Sequence, residues 1–510
     1  MAYHTSIYLF LFLPVVLLLY QITPRKIRPF VLLAAGYVFF WIISGELVWY
    51  LILTTLFTHY IAIWIEGTEV KNKKGRKRIL IFGILVLLGV LGYLKYYNFF
   101  AQNVNRVLDQ VHPGVAITMK MIVLPIGISF YTLQAIGYMV DVYWKKIPAE
   151  KNLAKVALFL GFFPQIMEGP ISMYPQTSQQ LWKGDPITLE NLTGGSLRII
   201  WGLFKKMIIA DRLYLVVQAV FEHYDKYNGV VIAAAAVAYT VQLYMEFSGC
   251  MDIVLGSGQI LGVTLPENFR QPFASRNAAE FWRRWHITLG VWLKTYVFFP
   301  VSTSRIVKRW NHFGKTHLSK HMTKLGISAI ALFPVWLGNG LWHGARWSYL
   351  FYGMYYFTIL LLGIAVEPIR DQILKVCRIN QDAVWWRMLQ IGKTWMIIFT
   401  GELFFRANGL RAGYRMFRSI FENFTLDKLW DGTFLSFGLD KADYFIVFCG
   451  CLCVAIVGII RERSLLDTQQ MQKVCLPVRW AVYYGLIIAV ILFGAYGVGY
   501  QQVDLIYAGF

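Results

Sequence analysis

The sequence predicts an all-α integral membrane protein, and three observations carry that prediction. Hydrophobic residues make up 57% of the 510 and charged residues only 15%, a balance that a water-soluble enzyme of this length does not tolerate. The apolar residues gather into stretches near the about 20 that cross a bilayer as a helix. Between them no hydrophilic block is long enough to fold around its own core, and no fixed-period repeat or low-complexity linker appears. The chain therefore reads as a single membrane domain, 1–510.

In chain order, candidate spans lie near 5–21, 30–44, 47–65, 79–94, 121–142, 154–167, 198–221, 229–261, 286–302, 325–342, 347–367, 385–405, 443–461 and 477–499. Roughly ten to thirteen are expected to cross fully. Segments 154–167 and 286–302 are short or charged, so they are expected to be re-entrant or interfacial, a form tolerated where protein or a water-filled cavity surrounds it. The opening "MAYHTSIYLFLFLPVVLLLY" lacks a basic leader and a small-residue cleavage site, and a retained first helix is expected. Lysines and arginines outnumber acidic residues 49 to 28. Much of that excess sits in short loops, so it argues for membrane orientation and anionic head groups rather than nucleic acid. "RKIR" (25–28), "KNKKGRKR" (71–78) and "WKKIPAEK" (144–151) fall on one side if the spans pair as hairpins, and that side is cytoplasmic by the positive-inside rule. The six cysteines include no CxxC, and Cys449, Cys451 and Cys453 scatter around a helix, so neither a disulfide framework nor a metal site is expected.

Two segments hold residues that carry chemistry. Advanced at about 100° per residue, "FWRRWHITLGVWLKTY" (281–296) separates Phe281, Trp285, Leu289, Trp292 and Tyr296 from an opposite face with Arg283, His286, Gly290 and Lys294. That pattern fits an interfacial helix with snorkelling cations, and equally a cationic wall for an anionic ligand. In "NGLWHGARW" (339–347), His343 closes an oily run in which Asn339, Gly340 and Gly344 are expected to interrupt the helix. A buried histidine held by one hydrogen bond is one reading. A general base is the other, since imidazole is the side chain best suited to take a proton near neutral pH. Glu246, Ser248 and Asp252 in "QLYMEFSGCMDIVLG" (242–256) add a second polar cluster and suggest a wet interior. Acyl transfer is the reaction class these residues fit. No G-x-S-x-G elbow, P-loop or dinucleotide fingerprint occurs, and "HLSKH" (317–321) lacks the glutamate of a zinc motif.

"GISFYTLQAIGYMVDVY" (127–143), "FFPQIMEGPI" (162–171), "EFSGCMDIVLG" (246–256), "RNAAEFWRRWHITLGVWLKTYVFFP" (276–300) and "LWHGARWSYLFYG" (341–353) together resemble the membrane-bound O-acyltransferases, MBOAT, in the branch of the bacterial alginate O-acetylase membrane subunits. The resemblance is collinear from about 120 to 410, which marks the family core. It implies a multi-pass helical ring around a central channel in the bacterial cytoplasmic membrane. It also implies that His343 is the essential histidine and His286 a second one near the same channel. The donor implied is acetyl-CoA or another cytosolic acyl thioester, a substrate rather than a permanently bound cofactor, with Arg283, Arg284 or Lys294 meeting its phosphates. The acceptor implied is an extracytoplasmic polysaccharide, reached directly or through a partner acetyltransferase with a serine-type active site. The chain departs from the family pattern at Ala278, Lys294, Thr295, Cys250, Glu246 and "STS" (302–304). Alternatives are D-alanyl transfer to teichoic acid from a carrier-protein thioester, long-chain acyl transfer to a lysophospholipid, a transporter of a lipid-linked saccharide, and a scaffold for polysaccharide export.

Overall fold

The computed structural model describes residues 1–69, 71–112, 114–462 and 475–496. Every regular element among them is helical. Among the described residues, seven runs are long and apolar enough to cross a membrane: Arg28–Gly67, Lys73–Val111, Gly229–Ile260, Lys320–His343, Trp347–Ala365, Lys441–Glu462 and Leu476–Phe493. The first is divided at Gly45, whose φ of +56° ends Arg28–Ser44 before Val48–Gly67 begins. The expected spans 30–44 and 47–65 are thus both present.

Several of the other expected spans differ from these runs for local reasons. Residues 121–127 are not helical, so the helix expected over 121–142 is Ile128–Tyr143 only. Segment 154–167 forms Leu153–Gly161 and then a series of turns, and 286–302 is a short apolar helix, Ile287–Ser302. The expected spans 198–221 and 385–405 are helical throughout but carry charges, Lys205, Lys206, Asp211 and Arg212 in one and Arg387, Lys393 and Glu402 in the other.

Side-chain caps set several helix starts. Asn277 Oδ1 accepts from the Glu280 N–H at 2.9 Å at the head of Ala278–Arg284, and Ser319 Oγ from the Met322 N–H at 3.2 Å at the head of Lys320–His343. Pro29 occupies the first turn of Arg28–Ser44, where its missing N–H costs nothing.

The chain falls into two compact units interleaved in sequence, one of residues 1–203 with 250–267, the other of 204–249 with the described residues between 268 and 496. In the first, Ile128–Tyr143 is buried along almost its whole length. The Tyr3 hydroxyl donates to the Phe163 carbonyl at 2.7 Å, and Arg198 pairs with Asp252 at 3.1 Å and Glu267 at 2.7 Å. The second unit holds both histidines of interest and is built around Lys320–His343, Trp347–Ala365 and Val384–Arg406. Outward residues such as Phe445, Phe448 and Leu452 on Lys441–Glu462 are large, apolar and exposed, as a lipid-facing surface requires.

Candidate active site

His343 is the last residue of Lys320–His343, and the chain beyond it cannot stay helical. Gly344 adopts φ 149° and ψ 180°, a conformation that favours glycine. Gly340 has a different task. It is helical, and a Cβ there would lie 2.5 Å from the Tyr349 carbonyl oxygen, so its bare backbone lets Trp347–Ala365 come close. Gly353 makes the matching approach to the Trp336 carbonyl. Of the three residues expected to interrupt the helix, only Gly344 does so; Asn339 and Gly340 are buried within it.

The His343 side chain is 4% exposed. Its ring is walled by Trp342 and Phe405, each with its centroid 5.0 Å away, by Tyr352 at 5.8 Å and by Tyr349 at 6.3 Å. The Tyr352 and Phe405 rings stand at 87° and 90° to the imidazole, edge against face.

His286 reaches its place by a break in the chain. It sits between Ala278–Arg284 and Ile287–Leu293 with φ 46° and ψ 52°, a left-handed conformation that costs a residue with a side chain about 1–3 kcal/mol. The break corrects the single helix expected over 281–296. It removes His286 from the cationic face and buries it, 3% exposed, while Arg283 and Lys294 stay exposed. The ring Nδ1 lies 3.2 Å from Asn268 Oδ1. That oxygen also accepts from the Thr288 N–H at 3.1 Å and the Thr288 hydroxyl at 3.0 Å. An oxygen that already accepts from two donors requires His286 Nδ1 to donate as well, so in the neutral ring Nε2 is the acceptor nitrogen.

One residue joins the two histidines. The Trp342 indole lies 5.3 Å from the His286 ring and 5.0 Å from the His343 ring, edge-on to both. Phe247 also stands edge-on to the His286 ring, at 4.9 Å.

The three predicted cations separate. Arg283 and Lys294 are exposed, with Lys294 Nζ 5.7 Å from the Phe299 ring centroid. Arg284 pairs with Glu280 and with Glu462, each at 3.0 Å, so its guanidinium is engaged within the fold. The polar cluster at 242–256 is likewise engaged. Glu246 and Asp211 flank Lys206 at 3.4 and 2.6 Å, Ser248 accepts from Lys205 at 3.4 Å, and Asp252 meets Arg198. These groups account for their burial by pairing with one another.

Three residues of the site escape the sequence reading. Asn268 lies in a polar stretch with no motif around it. Tyr352 looks like an ordinary member of an aromatic helix. Glu402 is a lone carboxyl near the end of Val384–Arg406, 1% exposed, and it accepts from the Tyr352 hydroxyl at 2.8 Å. Its signal is an acidic residue in the otherwise apolar stretch "MIIFTGELFF" (396–405).

The family model of the membrane-bound O-acyltransferases matches residues 145–318, which include His286 and end before His343. A probable alginate O-acetylase of Azotobacter vinelandii is 34% identical over 82% of this chain and 78% of its own length. A peptidoglycan O-acetyltransferase of Helicobacter pylori is 29% identical over 72% and 70%, and a teichoic acid D-alanyltransferase of Bacillus subtilis 27% identical over 46% and 58%. With identity of this extent across 82% of its length, and seven apolar runs long enough to cross a bilayer, the chain belongs to the membrane-bound O-acyltransferase family and is a multi-pass O-acyltransferase of the cell membrane.

Proposed function

We propose that the protein moves an acetyl group from a cytosolic thioester, acetyl-CoA, to a hydroxyl of an extracytoplasmic polysaccharide, directly or by way of a partner acetyltransferase of the serine type. What supports this reading is the placing of His343 and His286 against one indole, that of Trp342, so that two imidazoles serve one locus. His343 accepts the proton of the attacking hydroxyl as its oxygen bonds to the thioester carbonyl carbon. The carbon–sulfur bond breaks, and the departing thiolate takes that proton from the imidazolium, leaving ester and free thiol. His286, with Nδ1–H fixed by Asn268, orients or polarises the donor. Arg283 and Lys294, exposed and cationic, meet the donor's phosphates.

Acetyl is preferred over D-alanyl because the acetylase relatives match this chain at higher identity and over more of its length than the D-alanyltransferase does. General-base help of this kind is worth about 10² to 10⁴ in rate. His343→Ala should therefore nearly abolish release of free thiol from acetyl-CoA in the presence of acceptor, with yield and melting temperature retained. A His343→Ala protein that acetylates normally makes His343 a packing residue. Mass spectrometry of envelope glycans from cells with and without the protein identifies acyl group and acceptor together. A transporter or a scaffold would leave the acetyl content of those glycans independent of His343.

A further inference from the structure

A carboxyl group buried among apolar side chains is costly unless it is hydrogen-bonded or paired. Glu402 is such a group. It is buried, and among the described residues no lysine, arginine or histidine pairs with it. Its one hydrogen bond comes from the Tyr352 hydroxyl, itself buried, at 2.8 Å. Beyond that bond the geometry leads to His343. The ring of Tyr352 stands edge-on to the imidazole and packs on Phe405 at 4.8 Å, and Phe405, three residues after Glu402 on the same helix, is itself edge-on to His343. One helix thus supplies a wall of the imidazole cage and the acceptor that fixes the neighbouring wall. A phenol without that acceptor loses the bond that ties its hydroxyl to the neighbouring helix.

We propose that Glu402 is a positioning residue, whose carboxyl oxygen holds the Tyr352 ring against His343 and so sets the angle at which the imidazole meets the reacting hydroxyl. The inference rests on His343 being the base of the proposed reaction. A misplacement of about 1 Å near a reacting group costs up to about 10² in rate, so a partial loss is expected when the anchor goes.

The test uses purified full-length protein in detergent, acetyl-CoA as donor, and alginate oligosaccharides or a muropeptide mixture as acceptor, with thiol release as the signal. Glu402→Leu and Tyr352→Phe should each lower kcat about tenfold while KM for acetyl-CoA stays within about twofold. Glu402→Gln, whose amide oxygen still accepts, should recover most of that loss. The double variant Glu402→Leu/Tyr352→Phe should be no slower than either single one. A normal kcat in Tyr352→Phe, a Glu402→Gln protein as slow as Glu402→Leu, or a double variant showing the product of both losses overturns the proposal. If Glu402→Leu fails to fold, Tyr352→Phe and Glu402→Gln decide alone. His343→Ala is assayed beside them. If it is inactive while Tyr352→Phe is normal, only the role of Glu402 falls; if it is active, the proposed function falls with it.

Discussion

Replacing Gly340 with alanine adds one methyl group where Lys320–His343 meets Trp347–Ala365. The new Cβ would stand 2.5 Å from the Tyr349 carbonyl oxygen, and an ordinary contact begins at 3.4 Å, so the helices must part by about 0.9 Å. The obstacle is backbone, which cannot rotate aside. His343 lies three residues on, one turn along the same face, so the displacement reaches its ring almost undiminished. Overpacking of this kind costs about 1–3 kcal/mol, and a shift near 1 Å costs up to about 10² in rate. Gly338→Ala is the control. Its nearest neighbour, Leu293 Cδ2, is 3.9 Å away, and alanine there gains about 1 kcal/mol of helix propensity. Thermal melts and thiol release from acetyl-CoA, measured on both variants, should show Gly340→Ala less stable and about 10- to 100-fold slower, and Gly338→Ala at least as stable and as fast as the parent. Equal kinetics in the two variants would refute the claim that close helix approach places His343.

Four further outcomes follow from the same geometry. Asn268→Leu removes the acceptor shared by His286 and both donors of Thr288, and should lower kcat and cost about 1–3 kcal/mol of stability; a melting curve and a rate that both match the parent would sink the tautomer assignment. Lys294→Ala should raise KM for acetyl-CoA with little change in kcat, because phosphate contacts are made equally in ground and transition states. Arg284→Ala should lower the melting temperature rather than donor affinity, because Glu280 and Glu462 hold that guanidinium. Lys206→Met strands the buried Glu246 and Asp211 and should cost about 3–5 kcal/mol, with part of the loss recovered by adding Glu246→Gln; denaturation of the single and double variants measures it.

The histidines are legible in the sequence because an ionisable ring in an apolar run is conspicuous at any register. The cationic face of 281–296 is not. A 100° projection assumes one unbroken helix, and nothing in "RRWHITL" announces that His286 takes a left-handed turn. Projection therefore groups His286 with Arg283 and Lys294, whereas the backbone turns the histidine inward. The glycines beside His343 are visible as glycines, but their two tasks differ: Gly344 has the dihedrals and Gly340 the close neighbour, and both facts are tertiary. Arg284, Glu246 and Asp252 resemble binding or hydrating groups in the sequence, which shows a charge without its counterion. Glu402 is the reverse case, a charge whose isolation is meaningful only once the Tyr352 hydroxyl is seen beside it.

The interleaving of the two units bears on biogenesis. Gly195 sits so close to helix residue Gly256 that a Cβ on it would lie 2.6 Å from that residue's carbonyl oxygen, and Arg198 finds Asp252 and Glu267 only after them in the chain. A ribosome that has just released residue 203 into the bilayer has not yet made those partners. The early helices must wait, inserted but unfinished, for about fifty more residues of synthesis before their last surface is covered, and a chaperone or insertase that shields them has its moment then.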